Sequence, residues 1–432
     1  MSLPKSLTRR RPLTWVAVYL TTLLFLTTGP ASAEGGRALE VARSFMGAMG
    51  NGDFQTVESL MADDMVWHNE GDTSIPWIGT WRGKQAILGE FFPAYGAGAS
   101  TKMWTVDHAS GDDLEALMTG RMSLLLHNSG LETGPTSWAV KVRVEDGKVK
   151  LWHWFEDSDL FSRTFHGETT QADVTRSSNR DLVLRALEAT LLGGNVDAVD
   201  EYFGPEYIQH NPDVPSGTEA FKGLVANLAQ NPDFRADIFR VLVDEDHVAV
   251  HSIYTGFAEV PLVAFDVFRL ENGRIVEHWD NLLPVAAPNP SGRSQVDGVT
   301  KVTDLDKTSS NKAHVREFIE KVLIGHEQVE LTRYISPTTY LQHNPMVADG
   351  LQGFGAFMQE LAAKGIQMEY SKLHKVIGEG NFVLTLSEGA FGGAPKAYYD
   401  LFRLEDGLIV EHWDVIADMP GPEAKHNEAG KF

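Results

Sequence analysis

Between residues 179 and 281 the spacing of apolar positions changes once. From Asn179 to Leu192, the residues Leu182, Val183, Ala186, Leu187, Thr190 and Leu191 fall on one stripe at helical spacing, with Ser178 placed as N-cap and Gly193-Gly194 ending the run. Val196 to Phe203 and Glu219 to Leu228 read as two further helices. The period then shortens: Phe239 to Val243, Val248 to Tyr254, Leu262 to Leu270 and Arg274 to Asn281 are rich in β-branched and aromatic residues and read as strands. Helices followed by a meander predict an α+β domain, a curved antiparallel sheet wrapped on its helices with one end of the concave face open for a pocket.

This pattern recurs. Tyr207-Ile208-Gln209-His210-Asn211-Pro212 returns 133 residues later as Tyr340-Leu341-Gln342-His343-Asn344-Pro345, and the block Phe268 to Asp280 returns as Phe402 to Asp414. A fainter copy lies upstream, with Trp67-His68-Asn69 for Gln-His-Asn and Val142 to Val149 for the hairpin block. Three tandem cone-like modules are therefore expected, at 35–163, 178–285 and 310–420, with polar linkers at 164–177 and 286–309 and a polar tail at 421–432. The length of 432 residues suits three hydrophobic cores better than one.

Residues 1–33 break the pattern. Lys5, Arg9, Arg10 and Arg11 precede the apolar stretch Leu13 to Leu26, and Ala31-Ser32-Ala33 follows, the order of a secretory signal. The apolar run is shorter than the ~20 residues favoured for a bilayer crossing, so cleavage after Ala33 and an extracytoplasmic location, secreted or periplasmic, are expected over an uncleaved anchor. Loss of this leader takes the net charge from −22 to −26, which disfavours nucleic acid or anionic lipid as partners. Cysteine is absent, which removes disulfides, thiol nucleophiles and thiolate metal sites.

The hairpin block holds the candidate chemistry. With Glu271-Asn272-Gly273 read as a three-residue loop, Asp266 falls opposite His278 and Ala264 opposite Asp280, all on one face. A two-residue loop would pair Asp266 with Trp279 and scatter the group. Asp400, His412 and Asp414 repeat it. A carboxylate in an apolar pocket is a competent base for a proton next to a carbonyl, and an imidazole can polarise the resulting enolate; a structural ion pair lining a polar cavity is the competing explanation. His210-Asn211 and His343-Asn344 open loops from which both side chains can donate to a substrate oxygen, or else simply fix the loop. His251 sits on an inner strand of module two, where module three has Thr385 and module one approximately Met118. Module one departs further, with Val140 in place of Asp266 and Trp152-His153-Trp154 in place of His278-Trp279-Asp280. No zinc helix, calcium loop, nucleophile elbow, phosphate loop or dinucleotide fingerprint occurs, so no metal site is expected.

At the Gln-His-Asn-Pro and Glu-His-Trp-Asp blocks the modules resemble the SnoaL-like branch of the nuclear transport factor 2-like superfamily, the cone fold shared with polyketide cyclases and ketosteroid isomerases. The resemblance implies an acid/base pocket in which Asp266 and Asp400 act as bases assisted by His278 and His412, with no cofactor. It implies a cofactor-independent lyase or isomerase of aldol or enolisation type acting on a small apolar or carbonyl-containing molecule. The family also contains members that only bind or assemble, so a non-catalytic binding or assembly protein is the alternative. Pairing through the outer sheet face, where Phe265, Val267 and Trp279 lie, would occur within the chain or in a homodimer.

Overall fold

The computed structural model describes residues 36–327, 331–421 and 429–432; the secretory signal expected at residues 1–33 lies outside them. Among the described residues no helix is long and apolar enough to cross a membrane. The chain divides into two compact units, Met1–Val174 and Thr175–Phe432.

The first unit holds module one. Helices Arg37–Gly50 and Phe54–Leu60 precede strands β1 (Met61–Asn69), β2 (Gly79–Arg82), β3 (Ala99–Trp104), β4 (His108–Gly111), β5 (Glu115–Leu126), β6 (Leu131–Glu132), β7 (Thr136–Glu145) and β8 (Lys148–Glu156). The main path of the sheet runs β2-β1-β8-β7-β5-β3, with β1 and β8 parallel. Its concave side is aromatic: Trp67 stacks on Trp152 at 5.4 Å, and Trp104, Trp138 and Trp154 stack in series.

The second unit holds modules two and three. Module two orders β9 (Phe203–Gln209), β10 (Arg235–Asp244), β11 (His247–Thr255), β12 (Leu262–Glu271) and β13 (Arg274–Pro284) as β10-β11-β12-β13-β9. Module three repeats the order with β14 (Leu341–Gln342), β15 (Met368–Glu379), β16 (Phe382–Phe391), β17 (Ala394–Glu405) and β18 (Leu408–Asp418). In both, only the first strand is parallel to its neighbour. The fold is thus α+β, three separate sheets with helices packed against each. In module two, Val183, Ala186 and Leu187 of the long helix and Phe221 and Val225 of the helix Thr218–Leu228 pack with Val248, Val250 and Phe268 of the sheet.

Two sequence expectations change. The long helix starts at Gln171, so much of the stretch 164–177 is helical where a polar linker was expected; its polar side chains sit on a helix whose apolar stripe begins only later. The hairpin loop has two central residues, with Glu271 opposite Arg274 and both Asn272 (φ 52°) and Gly273 (φ 73°) left-handed, the conformation of a type I′ turn. One turn later a β-bulge at Val276 inserts an extra residue, so that Leu270 faces Ile275 but Arg269 faces Glu277. The bulge restores the side-chain parity that a two-residue loop alone would have reversed. Bulges at Lys150 and Val410 do the same in the other modules.

The outer faces of the second and third sheets share one core. Phe265, Val267 and Trp279 pack with Leu384, Leu386, Leu401 and Trp413. Asn281 donates to the carbonyls of Ala397 and Val415, and Glu379 holds Arg180 at 2.7 Å. Two cations close the rim in a pseudo-symmetric way: the Arg240 guanidinium lies 4.2 Å over Trp413, and the Lys375 ammonium 4.0 Å over Trp279.

Candidate active site

With the bulge in place, Asp266 lies directly opposite Asp280, and His278 is the diagonal neighbour. His278 Nε2 stands 3.1 Å from Asp266 Oδ1, and the Tyr254 hydroxyl donates to Asp266 Oδ2 at 3.0 Å. Asn211 donates to Asp280 Oδ2 at 2.6 Å. The second ring nitrogen of His278 meets Gln209 Oε1 at 2.8 Å, and that oxygen also accepts the Asn211 backbone N–H. Gln209 Oε1 is therefore an acceptor, which makes His278 Nδ1 a donor. Either Nε2 donates to an ionised Asp266, or a protonated Asp266 donates to Nε2. One proton is shared across this contact.

The cluster forms the polar floor of a cavity of about 50 Å³ walled by Leu187, Leu191, Phe221, Leu224, Phe234 and Phe257. Burial drives the Asp266 carboxyl above the ordinary carboxylate range, with the nearby charge of Asp280 adding to it and the His278 contact opposing.

Strand alternation sorts the remaining candidates. Tyr207, Gln209 and Asn211 line the cavity, so His210 between them faces the other side, stacked on Trp279 at 4.7 Å with Nε2 on Glu277 at 2.9 Å. His343 does the same against Trp413 and Glu411. His251 lies opposite Phe265, also on the outer face, with its ring stacked on that phenyl and its Nδ1 3.2 Å from Arg240. Burial and the Arg240 charge hold the His251 imidazole well below its usual pKa. The expectation that His210, His251 and His343 point into the cavities is thus corrected. Of the expected substrate-binding residues, Asn211 and Asn344 point inward.

Module three reproduces the constellation. His412 Nε2 is 3.1 Å from Asp400, Nδ1 3.0 Å from Gln342, and Asn344 donates to Asp414 at 2.8 Å. The tyrosine hydroxyl on Asp400 comes from Tyr370 of β15, whereas module two takes Tyr254 from β11. Burial raises Asp414 to about 6. Burial alone would lower His412, but the hydrogen bond to Asp400 and the charges of Asp414 and Asp400 reverse the balance and raise it. The space differs between the modules. Tyr398 stands where module two has Ala264; its ring stacks on Tyr370 at 4.3 Å and its hydroxyl donates to the Ala390 carbonyl, and Tyr370 and Ala390 in turn line an open cavity of about 700 Å³.

Sequence reasoning missed Gln209, Gln342, Tyr254, Tyr370, Tyr398 and Lys431. The glutamines were within the repeated six-residue block, and alternation from Tyr207 would have placed them inward. Lys431 had no local signal: its ammonium lies 3.5 Å from Asp280, buried, while the Gly430 carbonyl accepts from His210 and Phe432 stacks on His374. Among the described residues, three groups bring possible metal ligands within 4.8 Å of one another: Asp266 with His278 and Asp280, Asp400 with His412 and Asp414, and His68 with Glu70 and His153. In the first two, hydrogen bonds already engage both histidine nitrogens.

A family model, the SnoaL-like domain, matches residues 42–152 and 183–278. These two stretches, on modules one and two, are SnoaL-like domains. The sequence blocks point most strongly to modules two and three, whereas the matched segments fall on modules one and two; module three shares the strand order and site of module two. No curated protein matches this chain. Among solved structures, single SnoaL-like modules are similar to an NTF2-like protein of Burkholderia xenovorans LB400 (20% identity, 29% of this chain, 94% of that one, TM-score 0.27). They are similar too to an LEH-like epoxide hydrolase of M. tuberculosis (23%, 30% and 91%, TM-score 0.24) and to TsrD of Streptomyces laurentii (22%, 25% and 89%, TM-score 0.23).

Proposed function

We propose that this is an exported, cofactor-independent lyase or isomerase whose reactive centre is module two, acting on a compact carbonyl compound by enolisation or aldol-type chemistry. The observation that carries the reading is the buried Asp266–His278 contact, which shares one proton at the floor of an apolar cavity. An Asp266 with raised pKa is matched to removing a proton α to a carbonyl, and His278 relays it or stabilises the enolate oxygen. Asn211 and Tyr254 orient the two carboxylates. Module three keeps the acid/base groups, but Tyr398 stands beside them in place of Ala264, so turnover is assigned to module two and a structural role to Asp400, His412 and Asp414.

The test is α-proton exchange of a panel of small ketones and aldehydes in deuterated water. Asp266→Asn should abolish exchange, and Asp400→Asn should leave most of it. Equal loss from either substitution would remove the assignment to module two. The small cavity also favours a second reading, a binding or assembly module without turnover. Absence of exchange for every compound, with ligand binding that survives Asp266→Asn, would establish that alternative.

A further inference from the structure

Module one has Val140 and Trp154 where Asp266 and Asp280 stand in module two, and on the outward side of the same strand pair it has gained a different set of groups. In modules two and three the outward histidine that follows the first strand, His210 or His343, stacks on an indole, Trp279 or Trp413, and binds a glutamate on that indole's own strand. In module one the corresponding histidine is His68. The indole position is His153, and the glutamate position is Leu151, which cannot accept a hydrogen bond.

A carboxylate arrives from elsewhere. Glu70 follows the end of β1, its backbone N–H held by the Trp154 carbonyl, and its Oε1 reaches His153 Nε2 at 2.8 Å and His68 Nε2 at 3.1 Å. Parallel pairing of β1 with β8 puts His68 level with His153, their ring centroids 4.8 Å apart. Thr80, opposite His68 on β2, lies 2.7 Å from His68 Nδ1, so a proton on Nδ1 directed at Thr80 leaves the Nε2 lone pair facing Glu70 and His153. The Phe155 ring packs on His153 at 4.2 Å and limits its rotation. Both imidazoles are about a quarter exposed, 28% and 27%, so the group is supported yet open to solvent.

We propose that His68, Glu70 and His153 form a divalent transition-metal site on the outer sheet face of module one, with zinc as the ion best suited to it. Two imidazole nitrogens and one carboxylate oxygen are the donors that borderline ions such as zinc prefer, and a three-residue set leaves a coordination position for water or an exogenous ligand. Thr80 is the outer-shell partner that fixes the His68 ring, as ligating histidines usually require. The absence of a local metal motif does not count against the site, because strand pairing brings His153 level with His68, and His153 is 83 positions from Glu70 in sequence. It does not rest on the reaction proposed for module two.

The test is calorimetric titration of the chelator-treated mature chain with zinc chloride. Wild type should bind one equivalent that His153→Trp, which installs the residue of the other modules, and Glu70→Gln each weaken more than tenfold. Thr80→Val should weaken it by about tenfold. Circular dichroism checks each variant, and His153→Gln replaces His153→Trp if the latter does not fold. Asp266→Asn combined with Asp400→Asn should leave this equivalent untouched. Absence of zinc binding, or binding that survives His153→Trp and Glu70→Gln but is lost in the double Asp variant, would overturn the proposal.

Discussion

The polar sites of the three modules differ by a few substitutions on a constant frame. Ala264 against Tyr398 changes what packs beside acid/base groups that are otherwise the same. Buried carboxyls also tie stability to pH. With Asp414 raised from 3.8 to about 6, the folded state holds this proton more tightly than the unfolded chain. Its contribution is full below about pH 4 and is lost as pH rises through 6, a change of about 3 kcal/mol. The raised His412 acts in the same direction at higher pH, favouring the folded state below its unfolded pKa and losing that effect as pH rises further. Asp414→Asn should therefore flatten the pH dependence of urea unfolding between pH 4 and 7 and raise stability at pH 7 relative to wild type. A steeper dependence in the variant would contradict the assignment.

At the scale of elements, the β12–β13 hairpin carries the site because its turn and its bulge compensate one another. The type I′ turn needs two left-handed residues, and Asn272-Gly273 provides them. A Cβ on Gly273 would meet no atom within 4 Å, so Gly273→Ala should cost about 1 kcal/mol from backbone conformation alone, measurable by chemical denaturation. The residues of the site were legible in the repeated block. The bulge at Val276 was not, because it arises from how β13 meets both β12 and β9, whose pairing is irregular at the same place. The expected three-residue loop gave the right face for Asp266, His278 and Asp280 through a different geometry. Strand alternation, applied from Tyr207, would have put His210 outside and Gln209 inside.

For the molecule, joining two sheets through their outer faces turns Thr175–Phe432 into one unit, and the segments flanking the modules seal it. The Ser294 carbonyl contacts His343 as the Gly430 carbonyl contacts His210, and Val296 and Phe432 both lie against the shared core. Trp413 is the centre of this arrangement, fully buried, stacked on His343 and under Arg240, with its indole N–H on the Asp297 carbonyl. Trp413→Ala should cost about 3–5 kcal/mol and lower the calorimetric transition of the second unit while leaving that of the first in place. A shift confined to module three would show that the two modules do not unfold together.

Amino-acid order alone determined the α+β class, the triplication and the polar residues that recur, because repeated motifs and apolar periodicity are local properties of the chain. It also marked module one as the copy with Val140 in place of Asp266 and Trp154 in place of Asp280. Only the tertiary structure decided the register of the hairpin, with Asp266 opposite Asp280, since one bulged residue shifts every pair beyond it. The same holds for Lys431 beside Asp280, Tyr398 over the site of module three, and His68, Glu70 and His153 on one surface. Each joins residues far apart in sequence, and such contacts are set by strand register and packing, which no short stretch of sequence encodes.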